Sequence, residues 1–279
     1  MSVRIVTDST ADIRASLAEK FPFASLMIRF GDEEFIDGIN MSRKEFYEHL
    51  AVCKDLPTTS QPTPDSFEKI YKEIIAAGDK VVVLTISSKL SGAYQSANIA
   101  AMDYPGQVFV IDTESATIGA GILAERALQL AESGMEAEEI VAAIEEEKSK
   151  LTLFATLDTL EYLVRGGRLS KVAGFAGGLL NLKPVITLKD GAIEVVGKAR
   201  GTKQGNLMMA KEIGKAGGID FSKPILAGYT GLNDELLQKY LEDSAEQLAE
   251  AGTLDSSLIS GTIGTHVGPG AYAIAFFKK

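Results

Sequence analysis

The 279-residue chain holds two histidines, and one of them, His266, sits inside Gly264-Thr265-His266-Val267-Gly268-Pro269-Gly270. Imidazole gains or loses charge near neutral pH, and a glycine-rich setting implies that loop backbone holds it rather than a helix face. His266 is therefore a candidate contact for a charged ligand. His49 stands beside Glu45 on an amphipathic stretch and reads as structural or exposed. Hydroxyl residues collect in Thr7-Asp8-Ser9-Thr10, Thr58-Thr59-Ser60-Gln61-Pro62, Ser87-Ser88-Lys89-Leu90-Ser91-Gly92 and Asp112-Thr113-Glu114-Ser115. Ser, Thr and Asp are preferred helix caps, each worth about 1 kcal/mol, and capping explains any one of these residues taken singly. A helix needs one cap, so the excess at each place favours a polar ligand. Ser91 and Gly92 are the most informative pair, because Ser91 caps the following helix while Gly92 lets a carboxylate or phosphate approach the backbone. Nucleophilic use of Ser91 is disfavoured, since Lys89-Leu90-Ser91-Gly92-Ala93 is not a G-x-S-x-G elbow.

Cationic candidates are few. Arg165-Gly166-Gly167-Arg168 places two arginines around a glycine pair before a helix, and guanidinium groups suit bidentate anion contacts. A glycine helix end with a charge-neutralising arginine accounts for Arg165 well and for Arg168 less well. Lys198, Arg200 and Lys203 form a second basic cluster, readable as a docking surface, a phosphate contact or a solvated loop. Gly119-Ala120-Gly121-Ile122-Leu123-Ala124 matches G-x-G-x-x-A but lacks the acidic strand end that a dinucleotide site needs, so close helix packing is the simpler reading. No P-loop motif and no Cys/His cluster is present, so neither a metal nor a cofactor is expected.

The elements that must position these residues alternate. Strand-like runs at Val3–Thr7, Ala24–Arg29, Val81–Ile86 and Val108–Asp112 are separated by helical patterns over Arg43–Cys53, Pro64–Ala77, Gly92–Met102 and Ile118–Glu132. An acidic amphipathic segment, Glu136–Lys150, follows. This is a parallel α/β unit, and in open parallel sheets ligands sit at the carboxyl ends of the strands, where the hydroxyl clusters fall. From Leu151 the pattern changes. Strands are expected at Leu151–Leu157, Pro184–Lys189, Ala192–Val196, Ile225–Tyr229, Leu258–Ile263 and Tyr272–Phe277, with the hairpin signal Asp190-Gly191 between the second and third. Helices fit Asp158–Val164, Leu169–Leu180, Lys203–Ala216 and Asp234–Ala251, giving a mixed sheet covered by helices. The expected division is 1–150 and 151–279, and the length is near twice the usual ~150-residue domain.

Composition narrows the partners. Hydrophobic residues make up 46% and charged residues 24%, as in an ordinary globular chain. The net charge of −10 repels phosphate backbones and anionic bilayers, so nucleic acid is not expected as a partner. No apolar run approaches the ~20 residues of a membrane span, so stable membrane insertion is not expected. The single Cys53 permits no internal disulfide, and the N-terminus lacks a secretory pattern, which points to a reducing cytoplasm.

Taken together, Thr7-Asp8-Ser9-Thr10, Thr59-Ser60-Gln61-Pro62, Leu90-Ser91-Gly92-Ala93-Tyr94-Gln95-Ser96-Ala97, Arg165-Gly166-Gly167-Arg168 and the Gly264–Gly270 run resemble the DegV family of bacterial fatty-acid-binding proteins. The likeness runs nearly end to end. It implies an α/β protein of two domains, an N-terminal three-layer α/β/α unit with a parallel sheet and a C-terminal two-layer α/β unit with a mixed sheet, the ligand lying between or near them. It also implies a bound long-chain fatty acid such as palmitate and no catalysis of its own. The chain would carry the acyl group for a separate fatty acid kinase, whose product, an acyl phosphate, enters phospholipid metabolism. By position, the resemblance assigns carboxylate contacts to Thr59 and Ser91 and head-group contacts to Arg168 and His266, with Ser9, Ser60 and Gly92 in the same motifs. Ala93 stands where the family usually has Thr, and Ser115-Ala116-Thr117 departs from a commoner Ser-Met pairing, which leaves acyl preference open.

A sixteen-carbon chain has about 14 methylenes, and at ~0.8 kcal/mol each its transfer from water is worth on the order of 11 kcal/mol before ordering costs. A carboxylate drawn toward low dielectric must then be met by hydroxyls, a helix N-terminus or cations. Two other functions remain open. One is a phosphotransferase or hydrolase acting on a small anion with His266 as base or phosphoryl acceptor; the other is a sensor of a small carboxylate.

Overall fold

The computed structural model describes residues 2–169 and 182–279, so the helix expected over Leu169–Leu180 lies, apart from Leu169, outside the described residues. The first half runs β1 (Val3–Asp8), β2 (Phe23–Ala24), β3 (Met27–Phe30), β4 (Glu33–Ile36), α1 (Arg43–Val52), β5 (Thr58–Ser60), α2 (Pro64–Ala76), β6 (Lys80–Thr85), α3 (Ala93–Ala101), β7 (Val108–Asp112), α4 (Thr117–Glu132) and α5 (Ala137–Glu147). The second half runs β8 (Leu151–Thr156), α6 (Glu161–Arg165), β9 (Leu182–Lys189), β10 (Ala192–Arg200), α7 (Thr202–Lys215), β11 (Leu226–Tyr229), α8 (Glu235–Asp243), β12 (Ser256–Leu258), α9 (Gly261–Val267) and β13 (Tyr272–Phe277).

Successive residues of a strand point to opposite faces, and the buried run Val81-Val82-Val83-Leu84 of β6 shows the consequence. Val81 and Val83 pack with Phe67 and Tyr71 of α2 and Ala97 of α3, whereas Val82 and Leu84 pack with Ile118 and Ile122 of α4 and Ile140 of α5. Helices therefore cover both faces of the parallel sheet, whose order is β2-β1-β6-β7. The second sheet, ordered β10-β9-β8-β13-β11-β12, is mixed, with only β11 and β12 parallel among its described pairs. One face, carrying Phe154, Tyr272 and Phe276, packs on Met209 and Ile213 of α7 and Tyr240 of α8. The opposite face, carrying Leu153, Ala155 and Ala273, joins the core around α4, which thus lies between the two sheets. The Asp190-Gly191 turn has φ of +50° and +77°, the paired positive values of a tight two-residue hairpin.

Four expectations change. The strand expected over Ala24–Arg29 divides: β2 joins the parallel sheet, while β3 turns away into a separate antiparallel sheet of order β4-β3-β5. Thr58–Ser60, expected as loop, becomes strand β5 because it pairs with β3, Ile28 opposite Thr59. The run expected as strand over Leu258–Ile263 ends at Leu258, and His266 lies in the last turn of helix α9 rather than in a loop. Among helices, α8 stops at Asp243, and a short 3-10 turn at Ala249–Ala251 replaces the rest of the expected span.

Helix α9 exists where the local sequence reads as strand because tertiary contacts receive it. Its first-turn amides donate to buried carboxylates, Ser260 N to Asp12 at 2.9 Å and Thr262 N to Asp37 at 3.2 Å, which serve as remote caps. Asp12 also accepts from Thr117 at the start of α4 (2.6 Å) and pairs with Arg43 of α1 (3.1 Å). Burial pushes the Asp12 carboxyl up to about 6 against the opposing pull of Arg43. The helix then lies directly on α1. A Cβ added at Gly261 would come within 2.6 Å of Ile28 and 2.8 Å of Phe46, and one at Gly264 within 2.6 Å of Phe46 and 2.7 Å of the Tyr47 hydroxyl.

Phe46 and Tyr47 are buried and have little room to give. Overpacking costs about 1–3 kcal/mol, and the better helix propensity of alanine returns up to ~1 kcal/mol. Gly264→Ala is therefore expected to destabilise the protein by about 1–2 kcal/mol, read from a chemical denaturation midpoint. A variant as stable as its parent would show that α9 does not depend on this close approach.

Candidate functional site

Strand β5, the loop before α3, the turn after α6 and helix α9 converge on one cavity. Thr59 Oγ1 and His266 Nε2 are 2.8 Å apart, although 207 residues separate them in sequence. Ser91 Oγ accepts from Ala93 N at 3.3 Å, so its hydroxyl proton is not committed by that bond. Helix α3 begins at Ala93, with Gly92 in the cap position, and both Ser91 and Gly92 are part of the cavity wall. Ser60 lines the cavity as well. The cavity measures about 290 Å³, and away from Thr59, Ser91, Arg168 and His266 its wall is mainly aliphatic, supplied by residues such as Ile86, Leu153, Leu157, Ile186, Leu188 and Ile263.

Arg168 reaches the site differently from the expected bidentate anion contact. Its Nε donates to the Leu90 carbonyl at 3.0 Å and its Nη1 to the Gly166 carbonyl at 2.8 Å, so the guanidinium ties the α3 loop to the turn after α6. Its charge nevertheless borders the cavity. Ser9 is not brought to this site. It bridges Asp37 (3.3 Å) and Leu26 N (3.0 Å) and lines a separate small cavity with Asp8, Asp37 and Arg43. The residue that sequence reasoning passed over is Gln61, which lines the main cavity, sits in the space a Gly92 β-carbon would take, and donates to Ser96 at 3.0 Å. Its place in Thr59-Ser60-Gln61-Pro62 was the available signal.

The chemistry of His266 follows from its surroundings. Burial, aided by the nearby positive charge of Arg168, pushes its pKa down to about 4, so the imidazole is neutral at pH 7. Its Nδ1 is buried without a hydrogen-bond partner. An orphaned buried N–H is rarer than an under-used acceptor, so the proton is assigned to Nε2, which donates to Thr59 Oγ1. Thr59 then has its own hydroxyl proton free to donate into the cavity. The pair is a neutral donor relay, which replaces the expectation of a histidine that gains charge near neutral pH. On the far side of Thr59, Arg168 and His266 lies an outer cavity of about 370 Å³, which they line together with Thr58, Arg165 and Thr265. No group of His, Cys, Asp and Glu suited to a metal ion occurs among the described residues.

A family profile described as "Uncharacterised protein, DegV family" matches residues 2–279. The chain belongs to the DegV family. A DegV domain-containing protein of Caldanaerobacter subterraneus is 34% identical over 280 residues, covering 99% of both chains. Among solved structures, a fatty-acid-binding DegV family protein from Thermus thermophilus superposes with a TM-score of 0.90 at 32% identity over the whole of both chains. A DegV family protein from Eubacterium eligens, loaded with heptadecanoic acid, does so at 0.85 and 26%, again over both whole chains. The DegV fold accordingly comprises, in this chain, a parallel sheet and a mixed sheet. No helix among the described residues is long and apolar enough to cross a membrane.

A histidine whose folded-state pKa lies below its unfolded value of about 6.5 binds its proton more weakly when folded. Its contribution to stability is complete above pH 6.5 and is lost as the pH falls toward about 4. In the ligand-free protein the His266 imidazole resonances, assigned with a His266→Gln variant, should titrate near pH 4. A midpoint near 6.5 would contradict the buried neutral relay.

Proposed function

We propose that this DegV family member binds one long-chain fatty acid, with its acyl chain in the aliphatic cavity and its carboxylate at Thr59 and Ser91, and presents that carboxylate to a separate fatty acid kinase. The observation that carries the reading is the make-up of the cavity wall: Thr59 beside His266, with Ser91 and Arg168, supply hydroxyls, imidazole and guanidinium, and most of the remaining lining is aliphatic. That is the profile of a long apolar molecule with a single anionic head. Two hydroxyl donors and the start of α3 would meet the carboxylate, and the permanent charge of Arg168 offsets its desolvation. Ligand-bearing relatives support the same class of ligand.

The second cavity supports presentation, because Thr59, Arg168 and His266 line it as well as the main one, so a head group held by them lies beside a further space that a partner could enter. In this reading the chain is a carrier and the phosphoryl transfer belongs to the partner. On this reading Arg168 at the cavity, and Lys198 and Arg200 of β10 with Lys203 of α7, are the basic residues offered to a kinase that brings ATP. The units 1–150 and 151–279 act together, since the acyl cavity takes walls from both. On this reading the protein works in the cytoplasm. The phosphotransferase or hydrolase alternative draws less support from the geometry: a general base is normally oriented by a third group, and the second nitrogen of His266 has none.

A hydrogen bond to a charged group is worth about 1.5–3 kcal/mol. Ser91→Ala should therefore weaken retention of a fluorescent long-chain fatty acid by roughly ten-fold or more and lower acyl phosphate yield with a fatty acid kinase in proportion. Unchanged retention would reduce Ser91 to a helix cap. A phosphohistidine trapped on His266 during turnover would move the protein into the enzyme class.

A further inference from the structure

The two glycines that follow α6 are there for different reasons. Gly167 has φ of +73°, its amide donates to the Val164 carbonyl at 3.2 Å, and the next amide, that of Arg168, donates to the Leu163 carbonyl at 3.0 Å. These two bonds around a left-handed residue are a common way for a helix to end, so Gly167 alone accounts for a glycine at this turn. Gly166 has no such need. Its φ of −72° and ψ of −8° are open to any residue.

What Gly166 has no room for is a side chain. A β-carbon there would overlap Nδ1 of His266 and stand 3.0 Å from both Cε1 of that ring and the Tyr162 carbonyl oxygen, whereas one at Gly167 would meet nothing within 4 Å. The contact is returned from the other side, since a β-carbon on Gly268, which ends α9, would stand 2.5 Å from the Tyr162 ring. Helices α6 and α9 thus interlock through two glycines, Gly166 receiving the imidazole of α9 and Gly268 the phenol ring of α6. The imidazole bonds Thr59 through Nε2, while Nδ1 has no hydrogen-bond partner. A ring held at one nitrogen can swing about that bond, and packing against Gly166 takes the place of a second one.

We infer that Gly166 is a positioning residue of the head-group site: its bare Cα is the seat of the His266 imidazole, and that seat holds Nε2 against Thr59. The positioning stands on packing alone, and its consequence for a carboxylate rests on the fatty-acid reading above. A methyl group at position 166 must displace something, and an imidazole on rotatable bonds yields more readily than the backbone of α6. Thr59 then loses the partner that orients its hydroxyl.

A double-mutant cycle in the full-length protein tests the seat, with circular dichroism confirming that each variant is folded. Gly166→Ala should lower the chemical denaturation midpoint of the parent and lower it much less in a His266→Ala background, where the ring is gone. Gly167→Ala is the control: it strains a left-handed residue without touching the ring, so its cost should be the same in both backgrounds. In Gly166→Ala the imidazole nitrogen resonances should also depart from the single tautomer, protonated at Nε2, of the parent. Equal costs of Gly166→Ala in the two backgrounds would overturn the assignment, as would unchanged nitrogen resonances. Retention of a fluorescent long-chain fatty acid should fall roughly five-fold in Gly166→Ala, the worth of one neutral hydrogen bond. Should the parent retain no fatty acid, the fatty-acid reading fails while the cycle still decides whether Gly166 seats the ring.

Discussion

Everything at the site depends on one hydrogen bond, the 2.8 Å contact between Thr59 and His266. Neither side of it is fixed locally. Thr59 is positioned because the short strand β5 pairs with β3, and β3 belongs to a small antiparallel sheet set off from the parallel one. His266 is positioned because Asp12 and Asp37 cap α9 from a distance, and because Gly261 and Gly264 let that helix rest on Phe46 and Tyr47. The buried acids thus act through architecture. Asp12 joins the starts of α4 and α9 to Arg43 of α1, and Asp8 accepts from Ile86 N at 2.8 Å, which ties the tips of β1 and β6. Several hydroxyls and carboxylates at the strand tips are spent on holding the frame, and only Thr59, Ser60 and Ser91 among them face the main cavity as proposed ligand contacts.

Electrostatics explains why a neutral histidine suits this place. A cavity with aliphatic walls makes a free imidazolium costly, and Arg168 makes it costlier, so His266 stays uncharged and passes its N–H to Thr59. The Arg168 guanidinium is itself restrained by two backbone carbonyls. A carboxylate entering the cavity would meet donors already oriented, which lowers the ordering cost of binding. Hydrocarbon burial supplies the bulk of the affinity in this account, and the polar end supplies direction, so that the acid group rather than the methyl group faces the outer cavity.

The parts of the fold legible in the sequence are those where local pattern and tertiary environment agree. Strand β6 reads correctly because Val81 to Leu84 are buried on both faces, and the hairpin reads correctly because Asp190-Gly191 meets the positive-φ demand of its turn. The expectation of a strand over Leu258–Ile263 failed because Ile259, Thr262 and Ile263 are β-branched, while the caps that impose a helix there come from Asp12 and Asp37, more than two hundred residues away. Strand β5 was missed for a similar reason, since three hydroxyl-bearing residues have no hydrophobic alternation and are strand only by virtue of β3. At the site, the residue types were visible at Thr59, Ser91, Arg168 and His266. What spacing could not reveal was that Ser9 turns to Asp37, that Arg168 serves two carbonyls, and that Gln61 packs against Gly92.

The central claim is that the main cavity holds one fatty acid by its carboxylate. Native mass spectrometry of the freshly purified full-length chain, followed by collisional release of whatever it carries, tests this most directly. The account predicts a mass increment of one long-chain fatty acid per chain, released as a carboxylate anion. Release of a nucleotide, a sugar phosphate or another small phosphorylated anion in that stoichiometry would contradict it.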